Sequence, residues 1–213
     1  MSNKKAQPAY KHPESSGQAR GRAELLPLAK RVTEASGTPV VGGVAVVLHG
    51  GPTSTSDIDI YSDDFWQTHT RLEAAGIMWN AERREHMIDG VAIHMVGSDS
   101  LGGEPKRIST IDGVKVIGLA DLIRGKLTVG LEEIRRGKDV AHVIDLIRVI
   151  PLGKDFAAKL PKHLRAPFKQ LVDDVHGTRR TSTSVFQYYK KYSPNPATRR
   201  TADQIDRSRQ PAA

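Results

Sequence analysis

The segment Thr55-Ser56-Asp57-Ile58-Asp59-Ile60 constrains this chain more than any other, because two apolar side chains alternate in it with two carboxylates. A period of two is that of a half-buried strand, so Ile58 and Ile60 face a core while Asp57 and Asp59 share the opposite face. Like charges held that close repel, and each resists desolvation. Folding alone does not explain the pair, which calls for a divalent cation or water to neutralise it. Upstream, Val40 and Val41 read as a buried strand ending at Gly42-Gly43, and Val44–His49 as a short helix starting from that glycine pair. Such a turn leaves backbone N–H groups at the positive end of a helix, and the missing Cβ atoms let phosphate oxygens approach them. Glycine pair and carboxylate pair together predict a nucleoside triphosphate site with Mg2+ or Mn2+, hard cations commonly held by one or two carboxylates plus phosphate oxygens.

Elsewhere the chain reads as a mixed α/β protein. Leu25, Leu28, Ala29 and Val32 recur at helical spacing, which predicts a helix over Glu24–Ala35 with Pro27 in its first turn. Phe65–Ala75 reads as another helix, stopped by Gly76. Met87–Ile88 and Val91–Val96 flank Asp89-Gly90, a strong hairpin signal, and Val114–Ile117 adds a strand. From Leu119 the period changes to 3.6, predicting helices through Leu127, through Val140–Ile147 and through Phe168–Val175. The expected organisation is a disordered basic arm over 1–21, a small mixed-sheet α/β core over 22–117, a helical segment of the same domain over 118–176, and a disordered basic tail over 177–213.

Charge and composition narrow the function classes. The formal net charge is +8, but Lys4, Lys5, Lys11, Arg20 and Arg22 stand near the start against Glu14, and residues 177–213 hold eight Lys/Arg against Asp203 and Asp206. The basicity therefore belongs to the ends, which disfavours a basic DNA-binding globule. The chain has no cysteine, which excludes thiolate metal sites and cysteine nucleophiles and favours a reducing compartment. Pro39–Leu48, the longest apolar stretch, is far short of the ~20 residues of a membrane-spanning helix. No apolar run follows the N-terminal lysines, so neither a membrane span nor a secretory signal is expected, and the cytoplasm is the expected location. The Gly-x-x-x-x-Gly-Lys-Ser/Thr run of P-loop ATPases and the Gly-x-Gly-x-x-Gly of Rossmann dehydrogenases are both lacking.

Gly42-Gly43-x-Ala45 with His49-Gly50, then Thr55-Ser56-Asp57-Ile58-Asp59, resembles the nucleotidyltransferases of the DNA polymerase β type, and more narrowly the small bacterial AbiEii-like members. The resemblance continues through Val114-x-Val116-Ile117-Gly118-Leu119-x-Asp121-Leu122-Ile123-x-x-Lys126-Leu127 and Gly137-Lys138-Asp139, covering roughly residues 38–150. It implies that Asp57 and Asp59 bind magnesium. It further implies that Gly42 and Gly43, with Thr55 or Ser56, hold the triphosphate, and that Lys126 is the basic partner with Lys138 and Asp139 behind it. Two positions depart from the pattern. Where the family carries a third carboxylate, this chain has Ile93-His94-Met95; His94 alternates to the same side as such an acid and is either a general base or a half-buried strand histidine. Thr53 stands where relatives often have arginine.

Two functions follow from this reading. The first is magnesium-dependent transfer of a nucleoside monophosphate from an NTP to tRNA, another nucleic acid or a partner protein, with a toxin–antitoxin pair as one setting. The second is a catalytically degenerate fold that binds nucleotide or nucleic acid without turnover. The basic arms, with Tyr188, Tyr189 and Tyr192 beside Lys190 and Lys191, either stack on nucleic-acid bases or form a solubilising tail.

Overall fold

A buried strand with one polar face needs a partner on each edge, and that requirement organises the sheet. The computed structural model describes residues 18–177 and 190–208. Strand β1 (Asp57–Tyr61) buries Ile58 and Ile60 completely and leaves Asp57, Asp59 and Tyr61 half-buried. It pairs in parallel with β4 (Val91–Val96), which places Asp59 opposite His94. β4 pairs antiparallel with β3 (Glu85–Ile88), and β3 with the two-residue β2 (Trp79–Asn80), so the sheet order is β1-β4-β3-β2. The β3–β4 turn is Asp89-Gly90, with φ of 47° and 75°. Two positive φ values in succession define the type I′ turn that an Asp-Gly hairpin favours. A second hairpin joins β5 (Ile108–Ile111) to β6 (Val114–Ile117).

Helix α1 (Arg22–Ser36) and α3 (Phe65–Ala74) pack together, and the short α2 (Gly42–Leu48) lies against β1. Helices α4 (Leu119–Glu132), α5 (Gly137–Val149) and α6 (Lys162–Val175) follow the last hairpin. Their inner faces, among them Leu122, Ile123, Leu127, Val143, Leu146, Ile147 and Phe168, join the sheet residues in one continuous core. The fold is thus mixed α/β, with a small mixed sheet and many helices. Among the described residues no helix is long and apolar enough to cross a membrane.

Several details depart from the sequence reading. Val40 and Val41 do not form a strand element; Val40 instead bridges both Ile60 and Val116, stitching β1 to β6, and the helix begins at Gly42. Helix α1 starts at Arg22, which leaves Pro27 inside the helix rather than in its first turn. β2 and β5 are short, and β5 is mostly exposed, so neither shows an apolar alternation. The expected N-terminal arm lies outside the described residues up to 17, but Arg20 is ordered: it exchanges backbone hydrogen bonds with Thr55 at 2.8 and 3.2 Å. The expected tail is not wholly irregular either. Residues Pro196–Ser208 form a helix in which Ala202 is fully buried, and Thr198 Oγ1 donates to the Glu132 carbonyl at 2.6 Å. Small Ala and Thr side chains carry that contact, so no apolar periodicity announces it. Tyr188 and Tyr189 lie outside the described residues.

Candidate active site

The glycine pair, the loop before β1 and the two acids converge at one place. Gly42 has φ of +60° and sits so close to β1 that a Cβ there would lie 1.8 Å from Asp59 Oδ2 and 2.9 Å from Asp59 Cβ. A Cβ on Gly43 would lie 2.8 Å from both Cβ and Oγ1 of Thr55. Only glycine fits at either position without displacing what it touches. Helix α2 has no side-chain cap, and its first intrahelical bond runs from Ala45 N–H to the Val41 carbonyl. The N–H groups of its first turn therefore have no partner within the helix. Thr55 Oγ1 donates to Asp57 Oδ1 at 2.6 Å, which orients that carboxylate. Ser56 is half-buried beside it.

His94 completes the floor of the site. Its side chain is wholly buried, and Nδ1 stands 3.6 Å from Asp57 Oδ2 and 3.5 Å from Asp59 Oδ1, while Nε2 stands 3.1 Å from Glu85 Oε2. Burial alone would push the imidazole pKa down, but the Asp59 hydrogen bond and charge, then Glu85 and Asp57, outweigh it and hold the pKa above the ordinary 6.5. The imidazole thus adds a partner beneath the acids to the cation or water that the sequence reading called for. Glu85 went unnoticed in the sequence, although counting back from the Asp89-Gly90 turn reaches it: the register pairs Ile88 with Val91 and His86 with Ile93, so the next step puts Glu85 beside His94. A third carboxylate is thus present, one strand away from where the family pattern has it and behind the histidine.

The basic residues gather in a neighbouring layer. Lys126 of α4 is buried and its Nζ lies 2.7 Å from Asp139 Oδ1, while Arg136 Nε takes Asp139 Oδ2 at 2.8 Å. Asp139 is fully buried at the start of α5, so this cluster locks α4 to α5. Lys138, its neighbour in sequence, is exposed. The layer reaches the loop before β1 through His142, whose Nε2 is 3.2 Å from Thr53 Oγ1. His142 is held down to about 4, first by burial and then by the positive charge of Lys126. His49, in the resemblance's His-Gly step, ties the end of α2 to the Ile117 carbonyl at 2.9 Å.

Solved structures with a similar chain path were found at low sequence identity. An antigenic nucleotidyltransferase-like protein from Paracoccidioides brasiliensis is 14% identical with a TM-score of 0.46, over 79% of this chain and 94% of that one. A provisionally assigned nucleotidyltransferase from H. pylori is 9% identical with a TM-score of 0.44, over 86% of this chain and 95% of that one. JHP933 from Helicobacter pylori is 12% identical with a TM-score of 0.43, over 87% and 94%. The fold neighbours include nucleotidyltransferase-like proteins. No family model and no curated protein matches the chain. What this site can do is therefore decided by its own side chains.

The donor set fits a hard divalent cation. Asp57 and Asp59 present paired carboxylates that remain 19% and 14% exposed, a donor pair of the kind Mg2+ takes. The imidazole, a poor magnesium ligand, lies beneath them. The space that the sequence reading left open to phosphate at the missing Cβ atoms of Gly42 and Gly43 is filled by Asp59 and Thr55.

Proposed function

We propose that the protein transfers a nucleoside monophosphate from an NTP to an acceptor hydroxyl or phosphate. The observation that carries this is the contact between Gly42 and Asp59, because a glycine forced by the approach of a metal-type carboxylate joins the phosphate cradle and the acidic pair in one site. Asp57 and Asp59 would hold Mg2+ or Mn2+. The ion, when bound, supplies charge neutralisation at the triphosphate as the bond to the leaving pyrophosphate breaks.

The chain's own residues do the rest. Thr55 fixes Asp57, and buried His94, itself held by Glu85, orients both acids from below. The first-turn N–H groups of α2, at Gly42 and Gly43, would supply donors and positive partial charge to the triphosphate. Lys126 acts through Asp139, positioning α5, and exposed Lys138 would be the one of the two lysines left to meet the nucleotide. His94 acts as a positioning residue rather than as the base, since both of its nitrogens face carboxylates. Tyr192, Lys190 and Lys191 on the tail make a polyanionic or protein acceptor the class to try first, including tRNA and a cognate antitoxin.

That same occupation of His94 favours a second reading, a nucleotide-binding module without turnover, because the histidine beside the acids has both ring nitrogens facing carboxylates. Incubation with each labelled NTP, Mg2+ and total tRNA separates the two. Pyrophosphate release that disappears in Asp57→Asn/Asp59→Asn supports transfer, whereas metal-dependent NTP binding without release supports the module. Metal-dependent binding that persists in the double variant would remove the site assignment altogether.

A further inference from the structure

A second set of donors lies on the opposite face of the sheet from the acids. His69 and Glu73 stand four residues apart on α3 and so share one helix face. His86 follows Glu85 in β3, and successive strand residues point to opposite faces, which turns His86 away from His94 and toward α3. One donor atom from each of His69, Glu73 and His86 lies within 4.8 Å of the others. His69 Nδ1 is 3.0 Å from His86 Nε2.

The surrounding bonds already orient these donors. His86 Nδ1 donates to the Ile77 carbonyl at 2.8 Å, which places its proton on Nδ1 and aims the Nε2 lone pair at His69. The Trp79 backbone N–H donates to Glu73 Oε1 at 2.8 Å and fixes that carboxylate, leaving Oε2 to bind. Aromatic rings wall the group: Phe65 stacks on His69 at 6.0 Å, and the Trp79 ring lies edge-on to His69 at 5.7 Å and to His86 at 5.2 Å.

We propose that His69 Nδ1, His86 Nε2 and the Glu73 carboxylate bind Zn2+, clamping α3 to β3 with a fourth coordination position left open. Two imidazoles and a carboxylate suit zinc and not magnesium. At Zn–N of about 2.0–2.1 Å, two nitrogens of a tetrahedral site stand roughly 3.3 Å apart. The rings therefore need to separate by only a few tenths of an ångström from the observed 3.0 Å. Uptake moves the His69 proton from Nδ1 to Nε2, so the imidazole remains neutral and no proton is left unaccounted for. The direct histidine–histidine hydrogen bond is the metal-free form of the same contact.

Equilibrium dialysis of the tag-free full chain against Zn2+, with metal counted per chain, tests this, together with Co2+ absorption as a probe of tetrahedral imidazole ligation. The expected result is one tightly held Zn2+ in the wild type and in Asp57→Asn/Asp59→Asn, a tetrahedral Co2+ spectrum, and a raised Tm with Zn2+. His69→Gln and Glu73→Gln, both at half-buried positions, should each weaken binding at least ~10-fold, the scale on which zinc sites respond even to loss of supporting partners. Wild-type dialysis decides the matter even if a variant fails to fold. No stoichiometric zinc in the wild type overturns the proposal. So does zinc that survives in His69→Gln but is lost in Asp57→Asn/Asp59→Asn, which would place the ion at β1.

Discussion

Gly42→Ala tests whether the glycine pair is held by the acids or only by its turn. The new methyl would meet Asp59 at Oδ2 (1.8 Å), Cγ (2.7 Å) and Cβ (2.9 Å). Because the last of these is next to the backbone, rotating the carboxylate away does not relieve the clash. Two effects add: the left-handed φ costs a non-glycine residue about 1–2 kcal/mol, and overpacking costs typically 1–3 kcal/mol. Gly76 isolates the first, since its φ is +76° and nothing lies within 4 Å of a Cβ there. Gly76→Ala also shares the loss of unfolded-chain entropy that accompanies any Gly→Ala change. The difference between the two variants is therefore the clash alone, about 1–3 kcal/mol. In a domain of this size that is a further fall in Tm of roughly 2–12 °C, at about 2–4 °C per kcal/mol. Urea and thermal denaturation measure it, and repeating Gly42→Ala in an Asp59→Gly background should remove most of the excess. Equal costs at positions 42 and 76, or an excess unchanged by Asp59→Gly, would refute the claim that Asp59 dictates the glycine.

Lys126→Met leaves buried Asp139 with Arg136 alone, and breaking a buried pair this way costs about 3–5 kcal/mol, less what Arg136 still compensates, so denaturation should report roughly 2–4 kcal/mol. His142 is neutral in the folded state down to about 4 but takes up a proton near 6.5 when unfolded, so its contribution is intact above 6.5 and declines as pH falls toward 4. Discounted for partial exposure, the decline is about 1–2 kcal/mol, and His142→Gln should flatten this acid limb in pH-dependent unfolding curves. Ala202→Arg places a long charge where the C-terminal helix is fully buried and should release that helix, read as faster proteolysis after residue 190. Retained protection would show that Ala202 does not anchor it.

The parts of the fold legible in the sequence are those set by local periodicity. β1 matches its apolar alternation, β4 and β6 their short apolar runs, and α4 and α5 their 3.6-residue spacing, because each pattern lies within one local segment. β5 and the helix from Pro196 were missed for the opposite reason: one is exposed, and the other docks through Ala202 and Thr198, small side chains that leave no pattern. Within the candidate site, Gly42, Gly43, Thr55, Asp57 and Asp59 lie close in sequence and could be assembled on paper. Lys126 and Asp139 could be named, but not their mutual ion pair, since a helix face does not say which helix it meets. His94 lies on the face that alternation predicts, while its contact with Glu85 depends on the register of another strand.

One turn thus decides more chemistry than any single side chain does. The Asp89-Gly90 hairpin sets the register in which Met87 faces Ala92 and His86 faces Ile93. In that register Glu85 lies beside His94 under the acids, and His86 lies on the other face against His69. A slip of one residue would exchange the two, removing the carboxylate that holds His94 and setting a second imidazole in its place. The turn's two positive φ values resist that slip, because the type I′ geometry fits only this pairing of β3 and β4. The supporting acid of one candidate site and the central ligand of the other are therefore fixed by the same backbone, on adjacent residues and opposite faces.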